Sequence, residues 1–265
     1  MSGPFDQIQF LAASKNRVQV LEYLSEAPAD REELNEQTGI SRPTLSRVLT
    51  GLEDQHWISQ RGSECEITPL GELLADEFES LVESVETMQR LDGVIEYLPT
   101  DEFDFELTRL RDATITRPTR TDPGAPLRRA GELVDGADEF RFLTNTVVSP
   151  LAETLREQTV RGELTVVGVI TDELLDVVGG SPEFGELTRE TIESGHAEFY
   201  RYGGAVSQTL GLADGTTAAI TQVDEDGYQR AQIETDDERV RSWVASTIEE
   251  ARRESEPIPA EAFTE

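Results

Sequence analysis

Apolar residues recur at intervals of three and four in the first part of the chain, a pattern that predicts helices. Residues 5–25 read as one amphipathic helix. Its expected buried stripe consists of Ile8, Leu11, Val18, Leu21 and Leu24. Residues 31–50 read as two shorter helices joined at Gly39, a residue that accepts the positive φ of a tight turn. Ser41 is expected to cap the second of these helices, and Pro43 lies in its first turn. The two helices are expected to pack through Leu34, Leu45 and Val48.

The periodicity then changes from helical to alternating. Trp57–Gln60 and Glu64–Thr68 are predicted to be two short strands, joined by the glycine-containing turn Arg61-Gly62-Ser63. Thr68-Pro69-Leu70-Gly71 combines a capping threonine with an early proline, so the chain is expected to enter another helix.

This order of elements resembles that of the winged helix-turn-helix regulators of the MarR and ArsR kind. The phrases that carry the resemblance are REELNEQTGISRPTLSRVLT, LTGLEDQHWI and ITPLGELL. Asn35 departs from the motif, which usually has a small residue there. The resemblance implies that the second helix of the motif reads double-stranded DNA. Candidate contacts lie on its outer face and at the hairpin tip: Ser41, Arg42, Pro43, Thr44, Ser46, Arg47 and Arg61.

The charge of the chain bears on this prediction. The net charge is −31, and residues 1–68 contain one Lys and five Arg against eleven Asp and Glu, whereas DNA-binding domains are normally basic. A winged helix used for protein contacts is therefore an alternative. From Ser41 to Leu52, however, the only charged residues are Arg42 and Arg47. Acid-rich, lysine-poor surfaces resemble those of extreme halophiles. In molar KCl the screening length is about 3 Å, so an acidic DNA-binding domain is tolerable.

Residues 69–98 are predicted to be one long amphipathic helix. Its apolar positions are Leu70, Leu73, Leu74, Phe78, Leu81, Val85, Met88 and Leu91. Two interpretations are open: this stripe packs on the body of its own chain, or it forms the seam of a homodimer. We favour the homodimer, which would present two recognition helices to neighbouring half-sites.

The rest of the chain alternates between predicted strands and helices. Strands are expected at 140–143, 164–170, 197–202, 208–213, 217–223 and 228–233, with hairpin turns at Asp214-Gly215 and Asp226-Gly227. Helices are expected at 100–111, 150–160, 172–178, 182–194 and 237–253. The predicted fold class is α+β: a winged helix-turn-helix domain over 1–68, a linker or dimerisation helix over 69–98, an α/β domain with a mixed sheet over 99–254, and a flexible tail over 255–265.

The α/β part resembles the degenerate phospholipase-D-like domains of TrmB-like regulators, and with the winged helix in front it is most similar to FilR1-type archaeal regulators. The matching phrases are FRFLTNTVVSPL, GELTVVGVIT, AEFYRYGG and TLGLADGTTAAI. The His-x-Lys of the phospholipase D superfamily is absent: the nearest sequence is His196-Ala197-Glu198, and no Lys follows Lys15. We therefore expect no catalytic residues, no metal ligands and no cofactor.

A small-molecule effector is a further expectation for the α/β domain. In such sheets, ligands collect at the carboxyl ends of the strands, and those ends are polar here. The candidate residues, which would suit a small anion, are Arg117, Arg120, Thr144, Asn145, Thr171, Arg201 and Tyr202. The alternative is that these arginines pair with surface carboxylates.

Three classes of function remain open. The favoured one is a DNA-binding transcriptional regulator that is dimeric and has an effector domain. The others are an adaptor that contacts the transcription machinery, and a ligand-binding or enzymatic protein with a secondary winged helix.

The sequence contains no apolar run of about 18 residues, which a membrane-spanning helix would need. It also shows no signal pattern at its start, so a cytoplasmic location is expected. The single cysteine, Cys65, lies between two glutamates, which disfavours a reactive thiolate.

Overall fold

The computed structural model describes residues 3–223 and 229–263. The chain divides into two compact units, Met1–Val85 and Glu86–Glu265. Within the described residues, no helix is both long enough and apolar enough to cross a membrane. The predicted hairpin turn Asp226-Gly227 and the first residue of the strand predicted after it lie outside the described residues.

The first unit is a winged helix. Its helices are α1 (Pro4–Ala12), α2 (Lys15–Glu26), α3 (Arg31–Thr38), α4 (Arg42–Asp54) and α5 (Pro69–Leu91), the last of which runs into the second unit. Its three-stranded antiparallel sheet has the order β1 (Ala29–Asp30), β3 (Glu64–Ile67), β2 (Ile58–Arg61). The predicted hairpin is confirmed, and the short β1 adds a third strand to it.

The prediction of one helix over 5–25 is wrong, because the chain breaks between α1 and α2. Ser14 adopts an extended conformation there, as residues that precede a helix do. Arg17 fastens the two helices together: its guanidinium lies 3.7 Å from the centre of the Phe10 ring and donates a hydrogen bond to the Phe10 carbonyl. The break turns Ile8 away from the core, and its side chain is exposed.

The core of this unit is formed by the remaining predicted stripe positions together with the packing residues of α3 and α4. The largest fully buried side chains are those of Leu11, Leu21, Leu24, Leu34, Leu49, Leu52 and Ile58. The predicted packing of α3 on α4 is confirmed, since Leu34, Leu45 and Val48 are all buried.

Helix α5 distributes its apolar residues over three environments, so neither sequence interpretation holds for the whole stripe. Leu74 and Phe78 pack on the winged-helix core, and Leu91 lies in the core of the second unit. The remaining large apolar side chains of α5 are exposed to solvent: Leu70, Leu73, Leu81, Val82, Val85 and Met88. The helix ends at Leu91 instead of Leu98, because Gly93 takes a positive φ of 74° and ends it in the manner of a C-terminal glycine.

The second unit is built on an eight-stranded mixed sheet. Its strands are β4 (Thr114–Thr116), β5 (Glu139–Thr144), β6 (Thr165–Thr171), β7 (Ala197–Tyr202), β8 (Thr209–Ala213), β9 (Thr217–Val223), β10 (Gln229–Thr235) and β11 (Glu256–Pro257). Their order is β11-β7-β6-β5-β8-β9-β10-β4. Strands β5, β6 and β7 are parallel, and β8 to β10 form the predicted antiparallel meander.

Helices cover both faces of this sheet. One face carries α10 (Glu238–Arg253), and the other carries α6 (Ala125–Asp135), α7 (Ser149–Arg161), α8 (Asp172–Gly179) and α9 (Pro182–Glu193). The predicted fold class is confirmed. Sequence reasoning missed β4 and α6: the three-residue β4 is too short to show a period, and the proline-rich stretch before α6 read as a loop.

The helix predicted over 100–111 is wrong. The structure has two short 3-10 turns, Thr100–Glu102 and Leu107–Leu110, with a bend at residues 104–105 between them. Phe103 and Phe105 both pack edge-on against Trp243, with ring centroids 5.0 and 5.5 Å away. Residues two apart point to different sides of a helix, so the shared contact with one tryptophan favours this non-helical backbone.

The tail prediction also differs from the structure. Strand β11 pairs with β7, Ile258 is buried, and Phe263 packs on the core beneath α9. The backbone N–H of Ile258 donates to the Phe199 carbonyl over 2.8 Å. Described residues of the predicted flexible tail therefore complete an edge of the sheet.

We predict that Arg129→Met lowers the free energy of unfolding by about 2–3 kcal/mol. Arg129 of α6 makes a forked hydrogen-bonded ion pair with Glu234 of β10, and Glu234 is only 5% exposed. The substitution leaves a buried carboxylate without its cation. The change in the free energy of unfolding is measured by urea titration, with circular dichroism as the signal.

The matched control for this prediction is Arg128→Met. Arg128 pairs with Asp122, and both side chains are well exposed, so its replacement should leave the free energy of unfolding nearly unchanged. An equal loss of stability in both variants would contradict the role assigned to the buried pair.

Candidate nucleic-acid interface

The turn between α3 and α4 is fixed by hydrogen bonds from α3. Gly39 has a φ of 67°, and its N–H donates to the Asn35 carbonyl over 3.1 Å. The side-chain amide of Asn35 donates to the Ile40 carbonyl, and the Thr38 hydroxyl accepts from the Ile40 N–H. Asn35, the one departure from the motif, thus holds the turn by a contact that a small residue could not make.

Burial sets the orientation of α4. Leu45, Val48, Leu49 and Leu52 are buried on one side, so the opposite side faces solvent. The exposed residues on that side include the predicted DNA contacts Arg42, Pro43, Ser46 and Arg47, with Ser41 just before the helix and Thr44 half-buried. The structure therefore brings these six predicted residues to one helix end and its adjoining face.

The first turn of α4 differs from the prediction in one contact. Ser41 precedes the helix as expected, but its side chain makes no capping bond to a backbone N–H. Its hydroxyl donates instead to the Thr44 hydroxyl over 3.0 Å. Pro43 lies in the first turn, where a missing N–H costs no helical hydrogen bond.

The three candidate arginines differ in their contacts. Arg42 lies 3.5 Å from Glu32 and Arg61 lies 3.6 Å from Glu66, and all four side chains are well exposed to solvent. Such exposed pairs contribute little stability and exchange readily for other partners. Arg47 is exposed, and no ion pair or hydrogen bond engages its guanidinium within residues 3–223 and 229–263. Its five donors are accordingly available to an acceptor outside the chain.

The hairpin is anchored beside α4. Gln60 of β2 donates from its side-chain amide to Glu53 of α4 over 2.7 Å and accepts from Arg31 of α3. Gly62 turns the tip with a φ of 69°. Sequence reasoning missed Gln60, because a lone polar residue in a short strand carries no pattern.

The single cysteine lies inside this unit. Cys65 is buried in β3, and burial is the main cause that raises the pKa of its thiol, while nearby Arg31 opposes the shift. The raised pKa agrees with the expectation of an unreactive thiol, but the acidic groups that contribute to it are Glu53 and Asp30, not the flanking Glu64 and Glu66.

The residues predicted for an effector site do not form one site. Arg117 and Arg120 follow β4, which is separated from β5 by β8, β9 and β10, a distance of about 19 Å at 4.8 Å per strand. Arg117 donates to the carbonyls of Arg90 and Asp92 at the end of α5. Arg120 is exposed at the surface.

The other five predicted effector residues lie at the carboxyl ends of three adjacent strands, as expected. Most of their polar groups already have partners. Arg201 pairs with Asp172, which lowers the pKa of that carboxyl; Thr171 caps α8 through the N–H of Leu174; and Asn145 donates to the Val206 carbonyl. Thr144 hydrogen-bonds Thr209, and Tyr202 lines a different pocket, together with Val206 and Thr247. For Arg201, the alternative of pairing with a surface carboxylate holds.

Within the described residues there is no group of three or more His, Cys, Asp or Glu side chains placed to hold a metal ion.

Two domain models match the chain. Residues 5–90 match the HVO_A0261 N-terminal domain, and residues 123–254 match the middle domain of the methanogenesis regulatory protein FilR1. The chain is a FilR1-type winged-helix regulator. The first match covers the winged helix and α5, and the second covers α6 to α10 of the FilR1-type domain. The resemblance inferred from the sequence phrases is confirmed. A search of curated protein sequences gave no significant match.

The solved structures to which the chain is similar include three from archaea and bacteria. TrmBL2, described as an archaeal chromatin protein, is 15% identical, with a TM-score of 0.42 over 96% of this chain and 99% of its own. Nuc, a phospholipase D family member from Salmonella typhimurium, is 9% identical with a TM-score of 0.45, and NucT from Helicobacter pylori is 9% identical with 0.41. Both matches cover 56% of this chain and 99% of the other.

Proposed function

We propose that this FilR1-type regulator controls transcription by binding a specific DNA sequence, with α4 as the recognition helix. The observation that carries the proposal is the guanidinium of Arg47 on the exposed face of α4, which has no hydrogen bond or ion pair among the described residues. Arginine donates two parallel hydrogen bonds to guanine in the major groove, which makes it the commonest base-specific contact. Ser46 and Thr44 are short hydroxyl residues that leave room for the helix to approach base edges.

The distribution of charge supports the same orientation. The face of α4 carries only positive charge between Ser41 and Leu52, although the winged-helix part as a whole is acidic. Arg42 and Arg61 are held by exposed carboxylates that they can leave for phosphates. In high salt, attraction to phosphate is weak, so base contacts from Arg47 should supply a larger share of the specificity.

We further propose that the protein binds DNA as a homodimer joined through α5. The exposed side chains of Leu70, Leu73, Leu81, Val82 and Val85 line this helix. Leu70, Leu81 and Val85 fall within about 60° of one another at 3.6 residues per turn. A row of large apolar residues marks an interaction surface more strongly than single exposed ones do. A second copy offers the same row, and two-fold symmetry suits an inverted-repeat operator.

The FilR1-type domain is proposed to sense a small molecule, without catalysis of its own. The absence of catalysis is supported by the missing His-x-Lys and by the partners that already engage most of the polar residues at the strand ends. The acidic charge of the winged-helix part favours one alternative, an adaptor that contacts proteins through the same face.

The test of DNA reading starts with selection of bound sequences from random duplex DNA in molar KCl. Fluorescence anisotropy then measures the Kd of the selected duplex and of a scrambled one. Arg47→Ala should raise the Kd for the selected duplex about 10- to 100-fold, and should leave the scrambled duplex nearly unchanged.

Two control variants separate base reading from charge. Arg47→Lys keeps the positive charge but loses the planar guanidinium that donates two parallel hydrogen bonds. It should therefore also lose most of the difference in Kd between the selected and the scrambled duplex. Lys15→Ala removes one positive charge from α2 and should change neither Kd appreciably. Equal losses for Arg47→Ala and Lys15→Ala would contradict base reading, and failure to select any sequence would favour the adaptor.

A further inference from the structure

A cavity of about 110 Å³ lies in the FilR1-type domain, between the sheet and helices α6, α7, α8 and α9. It lies on the face of the sheet opposite α10. Protein interiors are packed as densely as organic crystals, and voids larger than a water molecule are few. A space of this size is of the order that holds one six-membered ring.

The sheet beneath this space carries small residues. Gly211 of β8 is paired with Ala219 of β9, and a Cβ built on Gly211 would lie 2.9 Å from the Phe140 ring and 3.5 Å from the Ala219 Cβ. Ala152 of α7 faces the same space from the helix side. Larger side chains at Ala152 and Ala219 would fill it.

The chemistry of the walls defines the ligand. Most lining residues are aliphatic or aromatic, and among those that the structure describes none is charged. A charged ligand would lose its hydration without gaining a counter-charge, which is unfavourable. The cavity therefore suits an uncharged molecule, unlike the anion expected from the sequence.

One edge of the cavity carries hydroxyl groups. Thr144 donates to the Thr146 carbonyl over 3.0 Å, accepts from the Thr146 N–H, and lies 2.6 Å from the Thr209 hydroxyl. Either hydroxyl can be the donor of this pair, and a hydroxyl oxygen has two lone pairs, so the Thr209 oxygen has a free lone pair in both cases. The Thr209 oxygen then keeps acceptor capacity for a donor from the ligand.

We propose that this cavity binds a small uncharged ring-sized molecule, which donates one hydrogen bond to the Thr209 oxygen. The inference deepens the proposed sensing role and rests on it for its biological purpose. Binding itself is measured on the full chain without DNA, so a failure of the DNA proposal leaves this result unaffected.

Phenol, toluene and benzoate serve as probes, and methyl chemical shifts of the full chain report binding. Phenol and toluene should both give saturable shifts that centre on the methyls of Ala152, Val134 and Ile170. Benzoate, which is of similar size but charged, should give none. Thr209→Val should weaken phenol binding about fivefold and leave toluene binding unchanged.

Two variants test the location. Ala152→Leu and Ala219→Val each place extra carbons in the cavity from opposite walls, and either folded variant should abolish the shifts with both neutral probes. The proposal is overturned if neither neutral probe binds the wild-type chain, if benzoate binds as tightly as phenol, or if binding persists in a folded variant with a filled cavity.

Discussion

Replacing Gly71 by Ala is expected to lower the free energy of unfolding of the winged-helix unit by at least about 3 kcal/mol. A Cβ at this position would lie 2.0 Å from the carbonyl oxygen of Trp57 and 2.8 Å from its carbonyl carbon. Both are backbone atoms, so no side-chain rotation relieves the overlap. The start of α5 would have to move away from the hairpin, and the hydrogen bonds of Thr68 to His56 and Trp57 would weaken.

The two tryptophans allow this effect to be measured in one unit at a time. Trp57 lies in the winged helix and Trp243 in α10, and the chain has no other tryptophan. In a Trp243→Phe background, urea unfolding followed by Trp57 emission therefore reports on the winged helix. The control is Gly131→Ala, a glycine within α6 whose added Cβ would meet nothing within 4 Å.

The control should leave the transition seen by Trp57 unchanged, and should raise the stability of the other unit by up to about 1 kcal/mol. A Gly71→Ala protein as stable as its parent would mean that α5 does not begin against the Trp57 carbonyl.

The double substitution Leu81→Glu and Val85→Glu is expected to convert the proposed dimer into a monomer. Two carboxylates would replace apolar groups in the seam, and each would meet its symmetry mate or lose hydration without a cation. The dimer Kd should rise at least about 100-fold. Size-exclusion chromatography with light scattering, in high salt, measures the mass directly.

A matched control adds the same charges elsewhere. Val160 and Val177 are exposed on α7 and α8, so Val160→Glu with Val177→Glu should leave the dimer intact. Both double variants should keep the wild-type circular dichroism spectrum. A wild-type chain that runs as a monomer at every concentration, or a dimer that survives the α5 substitutions, would refute the proposed seam.

The elements that were predicted well from the sequence are those whose buried residues recur at a regular spacing. The register of α4 follows from Leu45 and Val48, which must face α3, and that register alone turns Arg47 outward. The strongly apolar β6 was predicted within one residue, because its neighbours on both sides are parallel strands and both of its faces are covered.

The errors arise where a non-local contact decides the structure. Phe103 and Phe105 leave the helical pattern because both reach Trp243, which lies far along the sequence. The described part of the tail is ordered because the backbone of Ile258 hydrogen-bonds to Phe199 at the edge of the sheet formed by β7. The cavity escaped sequence reasoning for a related reason: its walls come from the sheet and from several helices, and only the fold brings them together.

The measurement that tests the central claim most directly is binding of the purified protein to sheared genomic DNA in molar KCl, with Arg47→Ala run in parallel. We predict sharp peaks that share an inverted repeat and that disappear with Arg47→Ala. A flat profile for the wild-type protein, or peaks that Arg47→Ala leaves unchanged, would contradict DNA reading by α4.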